Sequence, residues 1–273
     1  MRTDVYTLGE VKKRYSEENK KDSYIELADK VAFLLEVQDG HYAMPSIQLV
    51  GTSIIFTLFD RGGSISTYPL DIHQFPKEFL RILLGITFAD GTMFGFDSTV
   101  SPTQNGQKRI WIIMQDNKYT IFVDTLLFFS GMLHGQGMMV WSSIVTINEE
   151  LQEVMVKDTW VDPLRRYTEG RILKILEVAK VKGVPRLVHE QQVQTKHPVT
   201  QQILNHSTHI LRSLLGIMDG DPPYNLHVLS RLISKPRGYP IFDFTSLAEL
   251  LITLIDCLCG KSMLSLCSAR AYT

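Results

Sequence analysis

Apolar residues recur at helical spacing in four segments of the chain. The segment 23–37 places them on one face, and Asp22 or Ser23 can accept from the free amides of the first turn. "FPKEFLRILLGITF" repeats the pattern, with a proline in its first turn. The same spacing returns at 169–176 and 246–258. The pattern therefore predicts four helices.

Between these helices, β-branched and aromatic runs are separated by turn residues. Residues 46–67 contain two such runs around Gly51 and a turn at Arg61-Gly62-Gly63, and residues 109–129 form a second hairpin pattern. Further strand-like runs are "SSIVTINEE", "LQEVMVKDTW", "VPRLVHEQQV" and "NLHVLSRLI". Short consecutive runs of this kind are typical of antiparallel sheets, so we predict an α+β fold.

The order of these elements suggests three parts. Residues 1–127 read as an N-terminal α+β accessory region. Residues 128–232 contain an antiparallel sheet with one helix, and residues 233–273 begin with a connector and end in a helix. A chain of 273 residues is long enough for one large domain or two small ones.

Composition excludes several classes of function. The formal net charge is −1 and the pI is about 6.7, so no summed positive field favours nucleic acid. The N-terminal residues lack the apolar stretch of a secretory signal and are rich in acids, unlike a transit peptide. We therefore expect a cytoplasmic or nuclear protein.

The longest apolar passage, residues 246–266, does not read as a membrane span. It carries Glu249, Asp256 and Lys261 within the length of about 20 residues that a spanning helix requires. Ser246 and Glu249 have the spacing of a capping box, which favours an amphipathic helix instead. We expect no membrane insertion.

Two glycines, Gly135 and Gly137, lie between two strand-like runs. Glycines at such a position can form a flap over nucleotide phosphates, as in protein kinases, or simply a turn that requires positive φ. Lys157 follows on the next-but-one strand, and Glu169 lies at the start of the next helix. A lysine that contacts phosphate needs an acid to hold its ammonium, so the order of these residues favours the kinase arrangement.

Several longer stretches make the chain resemble the fungal-type protein kinase family. They are "LFDRGGSIST", "FLRILLGITFADGTMFGFDSTVS", "GQGMMVW", "VKDTWVDPLRRYTEGRILK" and "LSRLISKPRGYPIFDFTSLAELLITLIDCLCGKS". The most distinctive are Asp60-Arg61-Gly62-Gly63 and Gly95-Phe-Asp97. The resemblance implies an accessory region before a kinase-like small lobe at 128–232, followed by a hinge and the start of a large lobe at 233–273.

The same resemblance implies roles for individual residues. Gly135 and Gly137 would belong to the flap, Lys157 would contact phosphate, and Glu169 would be its partner. Ile233-Ser234 would form the hinge that faces adenine. The family activity would be ATP-dependent phosphorylation of serine or threonine in proteins.

The chain also departs from the kinase pattern. Val140 stands where the third flap glycine is expected, Trp141 follows it, and Met155 replaces the alanine that covers adenine. The sequence contains neither a His-Arg-Asp loop nor Asp-Phe-Gly, and Asp243-Phe244-Thr245 reads as the lead-in to a helix. We therefore expect a truncated protein without phosphotransferase activity, with at best weak ATP binding, and with Mg²⁺ only if ATP binds.

Two other functions are compatible with the residues. The region 1–127 can serve as a protein-interaction or regulatory module, and a protein partner would cover the apolar face of the 247–258 helix. Glu10 and Lys12 match the Glu-x-Lys of a nuclease metal site, for which Asp4 is the only upstream acid. An exposed strand or loop edge is the favoured explanation of that pair.

Metal binding elsewhere is weakly indicated. His206 and His209 have helix-face spacing but no evident third ligand. The three cysteines, Cys257, Cys259 and Cys267, are odd in number and close together, which favours buried free thiols over a disulfide framework.

Overall fold

A computed structural model describes residues 5–38, 40–102, 108–114, 117–130, 132–147, 149–197, 200–214, 226–238 and 243–256. Its helices are α1 (Glu17–Val37), α2 (Pro76–Phe88), α3 (Glu169–Val178), α4 (His209–Leu214) and α5 (247–256). Its strands are β1 (Leu8–Lys12), β2 (Ala43–Val50), β3 (Ser53–Asp60), β4 (Gly63–Ser66), β5 (Leu70–Asp71), β6 (Val100–Pro102), β7 (Lys108–Met114), β8 (Asn117–Phe129), β9 (Met139–Ile147), β10 (Glu150–Val161), β11 (Arg186–Gln192), β12 (Gln194–Lys196), β13 (Ile203–Asn205) and β14 (Val228–Lys235). The predicted α+β class is confirmed.

The first sheet is formed by β1 to β5, with β1 parallel to β2 and the other pairs antiparallel. Helix α1 packs on this sheet through Leu27, Val31 and Leu35, which repeat every fourth residue and contact Met44 and Phe59. This spacing is what the sequence pattern predicted.

The expected start of α1 is wrong. The helix begins at Glu17, because Ser16 accepts from the amide of Asn19 at 3.0 Å and caps the first turn. Ser23 lies inside the helix and its hydroxyl donates to the carbonyl of Lys20. Two serines, both suited to an N-cap, lie seven positions apart, and the earlier one forms the cap.

The second sheet has seven strands in the order β11-β14-β10-β9-β8-β7-β6. Helix α3 connects β10 to β11 and packs on the face that carries Leu232, through Leu173 and Leu176. The other face holds the largest apolar core. Its buried members are Ile110, Ile112, Ile121, Val123, Met139, Trp141, Val145, Val154, Val156 and Ile233.

The two ends of this sheet approach each other. The amide of Ile113 on β7 donates to Gln191 on β11 at 3.4 Å, and Arg231 on β14 donates to Thr99, just before β6, at 2.8 Å. The sheet is therefore rolled around its apolar core. It also crosses residue 127, because β8 continues to Phe129 and pairs with β9. The hydrogen bonds divide the two sheets before β6, about 27 residues ahead of the boundary expected from the sequence.

Two helices have little contact with the rest of the described residues. Helix α2 contains no buried residue, although its pattern is strongly amphipathic. All but one residue of α5 are exposed, including Leu247 and Leu251. Among the described helices, none combines the length and the apolar character needed to cross a bilayer.

Candidate functional site

The glycine tip, which we define as residues 132–138, joins β8 to β9. The amide of Ser130 donates to the carbonyl of Met138 at 2.8 Å and closes the loop at its base. Gly135 has φ +106° and Gly137 has φ +45°, both in the region that favours glycine. The turn explanation of these glycines therefore holds, whatever else the tip does.

The glycine tip rests on the first sheet, β1 to β5, which we call the accessory sheet. The amide of Gly135 donates to the carbonyl of Arg61 at 3.1 Å. The guanidinium of Arg61 donates in return, from Nη1 to the carbonyl of Met132. A Cβ on Gly137 would lie 2.5 Å from Nε of Arg61, so a larger residue there would collide with the guanidinium. The group that approaches Gly137 closely is thus an arginine of the same chain.

Lys157 and Glu169 come together as the sequence predicted. Lys157 lies near the middle of β10, opposite Val140 on β9 and Leu232 on β14. Its Nζ is 2.7 Å from Oε2 of Glu169, the first residue of α3. Because the lysine and glutamate side chains are 24% and 46% exposed, the pair contributes little to stability. It holds the ammonium in one place, which is the role of the corresponding pair in kinases.

A second glutamate, Glu190 on β11, supports the start of α3. Its carboxylate accepts from the hydroxyl of Thr168 at 2.7 Å and from the amide of Gly170 at 3.0 Å. A carboxylate at a helix N-terminus is favoured by the free amides and by the helix dipole. Glu190 therefore fixes the turn that carries Glu169. Sequence reasoning missed it, since nothing in "VHEQQ" marks it.

The lysine–glutamate pair borders a polar cleft beneath the glycine tip. Gln136, Lys157, Glu169 and Glu190 line it, together with residues of the loop that follows β10. Its volume is about 90 Å³. Sites for small ligands commonly have volumes of about 300–1,000 Å³. The cleft is therefore too small for a nucleotide while the tip holds this position.

The residues expected near adenine divide between the two faces of the sheet. Met155 lies opposite Ser142 and Ser234, which places all three on the face of Lys157. Ile233 points to the other face and is buried in the apolar core with Val156. Its backbone lies within the sheet, because Ile233 pairs with Val156 on β10 and with His189 on β11.

The most extensive polar cluster in the described residues was not anticipated. Arg231 is fully buried and donates to both carboxylate oxygens of Asp158, each at 2.7 Å. It also donates to Asp97 at 2.9 Å and to Thr99 at 2.8 Å, while Tyr42 donates to Asp158 at 2.9 Å. These contacts join the accessory region to the central strands of the rolled sheet. Asp97 of the Gly-Phe-Asp motif thus has a structural partner.

The Asp60-Arg61-Gly62-Gly63 motif also has a structural explanation. Asp60 forms a buried ion pair with Arg212 and accepts from the amide of Gly62 at 2.7 Å. Burial raises the pKa of Asp60 in spite of this partner. Gly95 of the other motif allows its backbone to approach Ala43, since a Cβ there would lie 2.6 Å from the Ala43 carbonyl oxygen. Both motifs therefore hold together segments that are far apart in the chain.

The residues of the nuclease hypothesis belong to a surface ion-pair network. Glu10 contacts Lys30 at 2.5 Å, and that hydrogen bond lowers the pKa of Glu10. Lys12 contacts Glu26 at 2.6 Å, so both side chains link β1 to α1. Asp4 lies outside the described residues.

The histidines are also placed by packing. His206 is half-buried and its ring packs against those of Tyr42 and Trp160, at centroid distances of 5.5 and 5.4 Å. Within the described part of the chain, no cluster of three histidine, cysteine or acidic residues could hold a metal. The three cysteines fall beyond the described residues.

Asp243-Phe244-Thr245 precedes α5, as expected of a helix lead-in. Ser246 accepts from the amide of Glu249 at 3.2 Å. The carboxylate of Glu249 reaches back to the amide and hydroxyl of Thr245, at 2.8 and 2.7 Å. The predicted capping box is thus present, with its return bond shifted by one residue.

Comparison with known proteins gives a single family. Searches against curated proteins and against solved structures found no match. The family described as fungal protein kinase matches residues 1–269, almost the whole chain. With the Lys157–Glu169 pair, the glycine tip and the α+β architecture in place, the chain belongs to the fungal protein kinase family.

Proposed function

We propose that this chain binds ATP weakly at the Lys157–Glu169 pair and does not transfer phosphate by itself. The observation that carries the proposal is the 2.7 Å contact between Lys157 and Glu169 beside the cleft under the glycine tip. In kinases, a lysine held in this way contacts the α- and β-phosphates.

The residues around the pair support weak binding. Val140 and Met155 add bulk where the kinase pattern has glycine and alanine, and the cleft must enlarge before a nucleotide can enter. Binding that first requires a conformational change is weakened by the free energy of that change. Mg²⁺ would enter with the phosphates of ATP.

The absence of phosphate transfer is proposed from the sequence. Phosphoryl transfer needs an acid that orients the substrate hydroxyl and ligands that hold Mg²⁺ on the phosphates. The 273 residues contain no His-Arg-Asp loop and no Asp-Phe-Gly to supply them. Loss of such groups lowers rates by orders of magnitude.

A titration with Mg-ATP tests the binding site. We expect saturable binding by the wild-type chain and at least a tenfold loss of affinity in Lys157→Ala. Lys174→Ala is the matched control, because Lys174 is exposed on α3 and should leave the affinity unchanged. Equal affinity in the two variants would contradict the proposed site.

An assay with labelled ATP and generic protein substrates tests the second half of the proposal. We expect no transfer above background. Sustained transfer that disappears in Lys157→Ala would contradict it.

A second candidate function is a protein-interaction or regulatory module built on the N-terminal region. It is favoured by α2, on which Leu80, Leu84 and Phe88 are 54%, 53% and 79% exposed along one face. An apolar stripe of this kind is typical of a surface that another protein covers. The face of the 247–258 helix is a second surface of the same type, exposed in its described part.

Thermal shift separates the two functions. Nucleotide binding predicts a rise in melting temperature with Mg-ATP that Lys157→Ala removes. The interaction module predicts no ATP effect, together with self-association or dye binding that Leu84→Ser reduces. A monodisperse monomer that neither self-associates nor binds the dye would contradict the interaction module.

A further inference from the structure

We propose that Arg61 is a latch by which the accessory sheet holds the glycine tip closed and thereby controls entry to the Lys157 cleft. The inference rests on the proposed function in one respect only, the identity of the ligand as ATP. The holding of the tip is a separate claim with its own measurement.

The tip is held from both sides. The carbonyl of Arg61 accepts from the amide of Gly135, and its guanidinium donates to the carbonyl of Met132. On the other flank, the amide of Trp160 donates to the carbonyl of Gln136 at 2.8 Å. A loop that would have to move to admit a nucleotide is thus bonded to two different elements.

The packing of Gly137 makes the contact specific to glycine. Nε, Cζ and Cδ of Arg61 would lie 2.5, 2.7 and 2.9 Å from a Cβ at this position. Any side chain at this position would force Arg61 to move, so the guanidinium lies directly against the backbone of the tip. The glycine that the sequence associates with phosphate is therefore in contact with the accessory region in this state.

The guanidinium of Arg61 makes few hydrogen bonds. Arg61 is 1% exposed, yet its Nε and Nη2 have no hydrogen-bond partner among the described residues. Its sequence neighbour Asp60 is already paired with Arg212. Burial without a counterion lowers the pKa of Arg61 to about 10. Only Nη1 bonds to the tip, through the carbonyls of Met132 and Leu133, so few guanidinium hydrogen bonds must break for the tip to open.

Opening would enlarge the cleft at the place where space is lacking. The exposed side chain of Gln136 lines the cleft of about 90 Å³, and Gln136 lies at the centre of the tip. Moving the tip away from Arg61 moves this wall. The accessory region therefore acts on the same site that the lysine–glutamate pair borders.

Two measurements on the full 273-residue chain test the latch. The variant is Arg61→Met, which keeps the volume and removes the donors, and the control is Arg14→Met at an exposed position. Hydrogen exchange is followed at the amides of Gly135 and Trp160, and affinity is measured with a fluorescent ATP analogue in the presence of Mg²⁺. We expect exchange at least tenfold faster and ATP bound at least tenfold more tightly in Arg61→Met only.

The outcomes are distinct. Unchanged exchange in Arg61→Met overturns the latch, and weaker ATP binding overturns it as well, because Arg61 would then be a phosphate ligand. If exchange is faster in Arg61→Met but neither the wild-type chain nor the variant binds ATP, the latch is supported and the proposed ATP site is overturned. If Arg61→Met does not fold, Arg61→Lys retains the charge with a shorter reach, and the same expectations apply.

Discussion

Two buried arginines occupy opposite roles in this protein. Arg231 is completely buried, and its guanidinium donates to Asp158, Asp97 and Thr99. Arg61 is equally buried, but its described partners are only the carbonyls of Met132 and Leu133. The same side chain at the same depth is thus fully compensated in one region and poorly compensated in the other.

The difference follows from where each arginine lies. Arg231 is on β14, a strand with neighbours on both sides, and its two carboxylate partners, Asp97 and Asp158, come from two distant parts of the chain. Arg61 lies in the turn between β3 and β4, where its contacts reach a loop. Removing one member of a paired buried cluster leaves its partners as unpaired buried charges. Removing a charge that has no counterion leaves no unpaired charge behind. Burial alone therefore does not tell which arginine stabilises the fold.

The largest effect is expected from breaking the Arg231 cluster. Arg231→Met leaves Asp97 and Asp158 buried without their cation, which should lower the free energy of unfolding by about 3–5 kcal/mol. Urea denaturation at pH 7 measures it. Arg186→Met, at an exposed position on the neighbouring strand β11, is the control and should change stability little. A loss below about 1 kcal/mol in Arg231→Met would remove the distinction between the two arginines.

A smaller effect is expected from acid, through His206, whose pKa is influenced by the charges of the Arg231 cluster. Burial lowers the pKa of His206 below its usual 6.5, so the unfolded chain binds more protons than the folded chain below that pH. The contribution of neutral His206 is present above pH 6.5 and is lost as the pH falls. The slope is at most about 1.4 kcal/mol per pH unit.

Urea midpoints at pH 7.5 and 5.5 measure this contribution. The difference between the urea midpoints at the two pH values should shrink in His206→Phe, because a phenylalanine ring cannot be protonated. His73→Phe is the control at an exposed position. If the urea midpoint changes with pH by the same amount in wild type and in His206→Phe, the pH dependence does not come from His206.

The smallest effect is expected at Arg61. Arg61→Met replaces a buried, poorly paired cation by an apolar chain of similar length, so the free energy of unfolding should change by less than about 1 kcal/mol in either direction. Measured beside Arg231→Met in the same denaturation series, this variant sharpens the comparison. A loss as large as that of Arg231→Met would show that Arg61 is part of the structural core.

The sequence predicted the Lys157–Glu169 contact because the two residues are close along the chain. They are separated by 12 positions, a strand end and a loop, and both elements show clear periodicity. The glycine tip, the helix stripe of α1 and the cap of α5 were found for the same reason. Each depends on residues within a few turns of one another.

The partners of Arg231 and Arg212 were not found. Asp97 and Arg231 are 134 positions apart, and Asp60 and Arg212 are 152 apart. Charged residues at such distances have no periodic relation, and each looks like a solvated side chain when it is read alone. The fixed spacing of residues within a turn or a helix has no counterpart here, since each pair joins segments that meet only in the folded chain.

By itself the sequence determined most of the longer elements, the α+β class and the order of glycine tip, lysine and glutamate, because hydrogen bonding and side-chain periodicity within an element are local. Only the tertiary structure decided which charges are buried, where one sheet ends and the next begins, and that the glycine tip rests on Arg61. Those outcomes depend on contacts between segments far apart in the chain, and their free energies arise from desolvation and packing that exist only in the assembled fold.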